Sequence, residues 1–328
     1  MLKKWFLISL KILFSVALIG WAVSGVDPVA AKERILQMAP EMILPVALVF
    51  ALQFVIGTFR WRTVLGSLGA PLAFKPGLRL FYIGAFFNQT LPASVGGDAV
   101  RTYLAYRHGV KLRGAINGVM LERVATVAGL VLLVAAVLPA FLQRVGADVG
   151  GWMAPSVMII LAVLVAGTVF VAFLDRLPQS YHRWRIVRGL SYLADDTRKV
   201  FFAPWPLFKA LGWGMLGHAN LVMVIYLLTL ALDLNVSLLD CFALFLPVLL
   251  VISLPISIAG WGVREQGMIF MFGMVGVPSD GALVLSILFG LFALVVSLPG
   301  GLVWLASGVR GGDVKEGLSA GPLERESS

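Results

Sequence analysis

Arg101 and Arg264 each close an eleven-residue stretch, LPASVGGDAVR over residues 91–101 and LPISIAGWGVR over residues 254–264. Six of the eleven positions are identical without a gap: Leu, Pro, Ser, Gly, Val and the terminal Arg. A guanidinium presents a planar fork that suits a phosphate bidentately. The neighbouring acids offer a second use, pairing inside the protein: Asp98 with Arg101 or Arg123, Glu122 with Arg123, and Glu265 with Arg264. Snorkelling to a membrane interface is the third. The residue types leave all three open.

The groups around the arginines fit a ligand cavity. Asn88, Gln89, Ser94 and Ser257 supply neutral hydrogen bonds, although Asn88 and Gln89 could equally satisfy carbonyls of a broken helix. Gly96, Gly97, Gly260 and Gly262 permit tight backbone paths and close approach. Pro92 and Pro255 each remove a donor and break the preceding turn. Helices beginning near Asp98 and Val263 would aim their free N–H groups at the same space, which favours an anion. Trp261 reads as an interface anchor. His218 with Asn220, and Gln53, read as interhelical hydrogen-bonding groups, with a proton relay as the rival for His218.

Enzyme motifs are absent. There is no GxxxxGK[ST] loop, no HExxH and no GxSxG. The single cysteine, Cys241, allows no internal disulfide, and His108, His182 and His218 lack metal-ligand spacing. No cofactor and no catalytic group is expected.

The elements that must hold these residues are membrane helices. The 328 residues are 59% hydrophobic and 13% charged, with a mean hydropathy of +0.94. Apolar runs of about 20 residues mark transmembrane helices, and backbone in lipid must satisfy its own hydrogen bonds. The net charge of +9 belongs to cytoplasmic loops and not to nucleic-acid binding. Six spans are expected, near 5–24, 42–59, 115–142, 153–174, 207–232 and 282–307. The second ends in Arg60-Trp61-Arg62, read as a basic and aromatic interface anchor. Residues 27–41 are expected as a loop, residues 175–199 as a cytoplasmic surface helix, and the tail from 310 as disordered.

Leu80–Leu91 and Met268–Val277 are apolar but too short to cross. A return of the chain after the first motif keeps Arg101, Arg107, Lys111 and Arg113 on the cytoplasmic side. Each motif then joins two half-helices of a re-entrant hairpin. With both termini inside, 20 of the 26 Lys and Arg residues face the cytoplasm. Three full spans separate the hairpins, so they enter from opposite faces. Gly109-Val110 and Gly114-Ala115 after the first motif reappear as Gly276-Val277 and Gly281-Ala282 after the second. The expected fold is an all-α polytopic membrane protein with an inverted repeat, halves about 42–142 and 207–307, an architecture of secondary transporters.

FNQTLPASVGGDAVR, LERVAT and LPISIAGWGVREQG resemble the flippase-like membrane region of lysylphosphatidylglycerol synthases. The similarity covers about residues 5–307. It implies translocation of a polar-headed lipid, whether anionic, polyprenyl-linked or glycolipid, in a bacterial or archaeal cytoplasmic membrane. The matching positions are Asn88, Ser94, Gly96, Gly97, Asp98, Arg101, Glu122, Arg123, Ser257, Gly260, Gly262, Arg264 and Glu265. About 20 residues follow the last span, so a stand-alone member without the aminoacyl-transfer domain is expected. The alternative is a non-transporting scaffold that recruits a lipid- or glycan-modifying enzyme, with the basic residues 175–199 as the candidate recruiting segment.

Overall fold

The computed structural model describes residues 20, 27–90, 96–145, 147–176, 185–253 and 260–307. The expected first span and the tail therefore lie outside the described residues, as do Ser94, Ser257, Pro92 and Pro255. Among the described residues the chain is helical and has no strand.

The described residues form eleven α-helices: α1 Pro28–Leu36, α2 Ile43–Ser67, α3 Phe74–Thr90, α4 Gly96–Arg107, α5 Leu112–Leu142, α6 Ala147–Ala172, α7 Arg185–Phe201, α8 Pro204–Ala231, α9 Leu238–Ile252, α10 Val263–Gly273 and α11 Ser279–Ala306. Five helical stretches, corresponding to α2, α5, α6, α8 and α11, are long and apolar enough to cross a membrane. The chain is an all-α polytopic membrane protein.

Two expectations change here. Residues 27–41 are not a plain loop. Asp27 accepts a hydrogen bond from the Val29 N–H at 2.8 Å and Pro28 occupies the first turn, so α1 forms. The end of α2 is not an interface anchor either. The helix continues to Ser67, and Arg60 and Trp61 are both buried within the protein.

The two halves have the same element order. A long helix, α2 or α8, leads into a pair of short helices, α3–α4 or α9–α10, and a second long helix follows, α5 or α11. Each short pair packs antiparallel. Asn88 near the end of α3 accepts from the Gly97 N–H at the start of α4, 3.0 Å away. Farther back, Gly84 lies against Arg101. In the second pair a β-carbon on Gly260 would meet Ile252, and one on Gly267 would meet Val248. Gly97 has no alternative residue: a β-carbon there would overlap the Gly84 carbonyl oxygen.

The leading helices α2 and α8 run antiparallel. Trp213 stacks on Phe59, Gly217 faces Ile56 and Arg60, Asn220 donates to the Val49 carbonyl, and the Ala39 N–H donates to the Ala231 carbonyl. Equivalent helices that meet antiparallel are related by an axis perpendicular to them, which is the geometry of an inverted repeat. Each short pair also leans on the other half. α3 packs on α11, where the Tyr82 hydroxyl donates to the Val296 carbonyl at 2.8 Å and Gly300 lies against the Tyr82 backbone. α9 packs on α5, where Arg144 just beyond α5 pairs with Asp240 in the first turn of α9.

Small residues bring the long helices close. Gly129 on α5 meets the Gly214–Met215 backbone of α8, with a β-carbon there only 2.9 Å from it. The main apolar core runs through α2, α5, α8, α9, α10 and α11, with Phe245, Phe289 and Leu228 at its centre. α6 stands apart. It is apolar, yet Met158, Ile159, Val163, Val165 and Phe170 are exposed, as on a helix that faces lipid.

Candidate functional site

The first hairpin delivers its charges to a buried cluster shared by three helices. Arg101 on α4 is 3% exposed and Glu122 on α5 is 2% exposed. Arg101 Nη2 donates to Glu122 Oε2 at 2.8 Å and lies 3.4 Å from Asp98 Oδ1. From α2, Arg60 Nε donates to Glu122 Oε1 at 2.7 Å, with Nη2 2.6 Å from the same oxygen. Arg123 Nε donates to Asp98 Oδ2 at 2.6 Å, and its side chain is half-exposed. The Arg101 guanidinium also lies over the rings of Trp61 and Phe81, 4.8 and 4.9 Å from their centroids.

Three guanidiniums therefore face two carboxylates. The cluster carries one net positive charge, with the half-exposed Arg123 on its open side. Arg60 Nη1 and Arg101 Nε are buried and have no hydrogen-bond partner. Buried charge is tolerated when it is paired and hydrogen-bonded, and this cluster keeps guanidinium donors that no group of the protein satisfies.

The second hairpin forms a different arrangement. Arg264 is 3% and Glu265 1% exposed. Arg264 Nη2 donates to Glu265 Oε1 at 2.8 Å, and its Nε donates to the Ser286 hydroxyl at 3.0 Å. That hydroxyl donates in turn to Glu265 Oε1 at 3.0 Å. The other Glu265 oxygen accepts the Gly262 N–H at 2.5 Å, which caps the start of α10. Gly262 and Gly260 have φ of +85° and +81°, a backbone region that favours glycine. Trp261 lies under the Arg264 guanidinium at 4.6 Å, so its ring packs on the second cluster. One guanidinium meets one carboxylate, and charge balances locally.

Of the expected site residues, Asp98, Arg101, Glu122 and Arg123 come together in one cluster, and Arg264, Glu265, Gly260 and Gly262 in the other. Gly96 opens α4, and Gly97 lies against the Gly84 carbonyl. Asn88 serves the hairpin itself through Gly97. Ser94 and Ser257 lie outside the described residues. Sequence reasoning missed Arg60 and Ser286. Arg60 could have been found from its spacing, because Gln53, Gly57 and Arg60 fall on one face of α2. Among the described residues no group of three His, Cys, Asp or Glu could hold a metal ion.

The model of the lysylphosphatidylglycerol synthase transmembrane region matches residues 8–300. The chain belongs to that family. No curated protein matches the sequence. In this multi-pass membrane member of the lysylphosphatidylglycerol synthase transmembrane family, Asp98, Arg101, Arg264 and Glu265 lie on the second short helix of each pair, and Arg60, Glu122 and Arg123 on long helices. LERVAT supplies Glu122 and Arg123, and Thr126 of the same segment donates from its hydroxyl to the Glu122 carbonyl at 2.7 Å. The motifs quoted for the resemblance thus carry most of both charge clusters.

Proposed function

We propose that this family member moves a lipid with a phosphate-bearing headgroup between the leaflets of a cytoplasmic membrane, with no chemical change to the lipid. The observation that carries the proposal is the net positive charge of the first cluster, with two unpartnered guanidinium N–H groups inside it. A phosphate can accept from both Arg60 and Arg101 while the acyl chains remain in lipid. The half-exposed Arg123, on its partner Asp98, marks the open side of the cluster.

In this reading the two short hairpins are re-entrant, enter from opposite faces and expose the site alternately. Both chain termini face the cytoplasm. A cysteine near Lys75 and one near Lys111 should then both be labelled from the cytoplasmic side. Labelling from opposite sides would mean that α3 and its continuation cross the membrane, and the alternating arrangement would fail.

The direct test is the flip rate of a fluorescent short-chain phosphatidylglycerol in liposomes that hold the purified protein. Detergent melting is read on the same samples. Arg101→Ala should abolish flipping. Normal flipping by both Arg101→Ala and Arg60→Ala would sink the phosphate role.

A further inference from the structure

A buried ionisable side chain adjoins the arginine cluster without pairing with any of its charges. His218 on α8 is 8% exposed. Its Nε2 lies 3.1 Å from the Thr126 carbonyl oxygen. A carbonyl only accepts, so Nε2 carries the proton and the neutral ring leaves Nδ1 as a bare acceptor. Nδ1 is buried and has no partner, and the same holds for Arg60 Nη1. Arg60 also reaches the stretch of α8 that carries His218. Arg60 Nη1 lies 3.2 Å from where a β-carbon on Gly217, the residue before His218, would stand.

Polar groups continue from this point in both directions. Thr126, whose carbonyl holds His218, has its hydroxyl 3.3 Å from Glu122 Oε1. On the other side Asn220 Nδ2 is 3.0 Å from the Val49 carbonyl and 3.3 Å from Gln53 Oε1. The seam between α2 and α8 is thus polar from Arg60 to Val49, a rise of about 16 Å at roughly 1.5 Å per residue.

We infer that His218 binds a proton in linkage with anion binding at Arg60 and Arg101, so that an anionic headgroup and a proton move through the protein together. This rests on the transport reading above. A proton from water on one side bonds to the Nδ1 lone pair and makes an imidazolium. Release on the other side restores the neutral ring. With the cluster empty, the Arg60 charge opposes a second cation beside it. An anion on Arg60 and Arg101 cancels that opposition. By reciprocity, a protonated ring strengthens the hold on the anion by the same factor.

The other charges around α8 leave His218 to Arg60 and the cluster. Glu122 and Arg123 on α5, with Asp98 and Arg101 on α4, belong to that cluster. Asp240 on α9 pairs with Arg144, and Asp280 on α11 pairs with Arg34. On α7, Asp195 and Asp196 pair with Arg113 and Lys199, and Arg198 pairs with Asp175. Glu41 is exposed before the start of α2, and Lys209 lies over Trp205 near the start of α8.

The test uses the full chain in liposomes with a trace of fluorescent short-chain phosphatidylglycerol, a trapped pH dye and an imposed pH gradient. One proton per lipid concentrates the probe about tenfold in the alkaline-side leaflet per pH unit, and the dye reports protons entering with it. His218→Gln keeps an amide N–H for the Thr126 carbonyl but takes no proton. It should still flip, at an altered rate because the linked proton is gone, and leave the leaflets equal under a gradient that concentrates the probe for the wild type. If that variant does not fold, the wild-type dye signal decides. Wild-type flipping with a leaflet ratio indifferent to the gradient overturns the coupling and leaves transport standing. Concentration of the probe by His218→Gln overturns the assignment to His218. Wild-type protein that flips nothing under any gradient overturns both readings.

Discussion

The two hairpins repeat each other in sequence and differ in charge. Around Arg101, side chains from α2, α4 and α5 share two carboxylates among three guanidiniums. Around Arg264, one carboxylate, one serine hydroxyl and one backbone N–H make a closed local set. Matched arginines in a repeat therefore have different surroundings. The first cluster depends on a third helix for its charge and is left with an excess. The second is neutral and also caps its own helix. Among the described residues, unsatisfied guanidinium donors remain in the first and not in the second.

The largest effect on this contrast should come from removing a shared carboxylate. Glu122→Ala leaves Arg60 and Arg101 facing each other in a buried site. Breaking a buried pair from one side costs about 3–5 kcal/mol, so a large drop in melting temperature and in membrane abundance is expected. A melting temperature within experimental error of wild type would show that the cluster is hydrated and the contrast is wrong.

Lysine substitutions sharpen the contrast next. Arg101→Lys keeps the charge but loses the fork that reaches Glu122 and the space beside Asp98. Loss of one hydrogen bond to a charged group is about 1.5–3 kcal/mol, or on the order of tenfold or more in flip rate at 1.4 kcal/mol per factor of ten. Arg264→Lys should lower the melting temperature and leave the flip rate per folded molecule close to wild type. Equal loss of flipping in both variants would mean that the two sites act alike despite their different charge balance.

The smallest effect lies outside both hairpins, on α7. Asp175 accepts from both Nη atoms of Arg198, at 2.8 and 2.7 Å. Those hydrogen bonds from Arg198 hold its carboxyl below the ordinary aspartate range. A depressed folded-state value gives stability that is present above the unfolded value, about 3.9, and is lost as pH falls through the folded one. For a partly exposed pair this is at most about 1 kcal/mol. Acidification from pH 6 toward 3 should lower the protection of α7 amides relative to their intrinsic exchange, while the protection of α4 and α10 holds. Earlier loosening of α4 would place the acid-sensitive contact in the cluster instead.

Much of the fold was legible from the chain. The second to sixth expected spans appear as α2, α5, α6, α8 and α11, because a helix that crosses lipid must carry about 20 apolar residues in a row. The short helices of both hairpins were legible because Pro, Ser and Gly interrupt the apolar run at matched places. Boundaries set by side-chain caps were less visible. Asp27 with Pro28 starts α1 in a segment that looks like a loop, and the weak apolar pattern of α1 gives little else to read.

The candidate site was legible in its acids and bases and not in their partners. Asp98, Glu122 and Glu265 stand close in sequence to the arginines, and proximity suggested four pairings, of which Asp98 with Arg101, Asp98 with Arg123 and Arg264 with Glu265 form. Arg60 was misread because a basic residue beside Trp61 near the end of an apolar run looks like an interface anchor. Only the packing of α2 against α5 and α8 turns it inward onto Glu122.

The sequence by itself determined that the chain is a membrane helix bundle, where its helices break, and which charged residues accompany the breaks. These follow from local rules: the length needed to cross lipid, the backbone limits of proline and glycine, and the disfavour of charge in an apolar run. Tertiary structure alone decided which charges meet. Glu122 lies one residue from Arg123 but binds Arg60, 62 residues earlier, and Arg101, 21 residues earlier. Neighbouring helix residues point about 100° apart, so Glu122 and Arg123 face different ways, and packed helices bring distant residues to the same face. Charge balance at a buried site is a property of that packing, and it separates two motifs that the sequence writes almost alike.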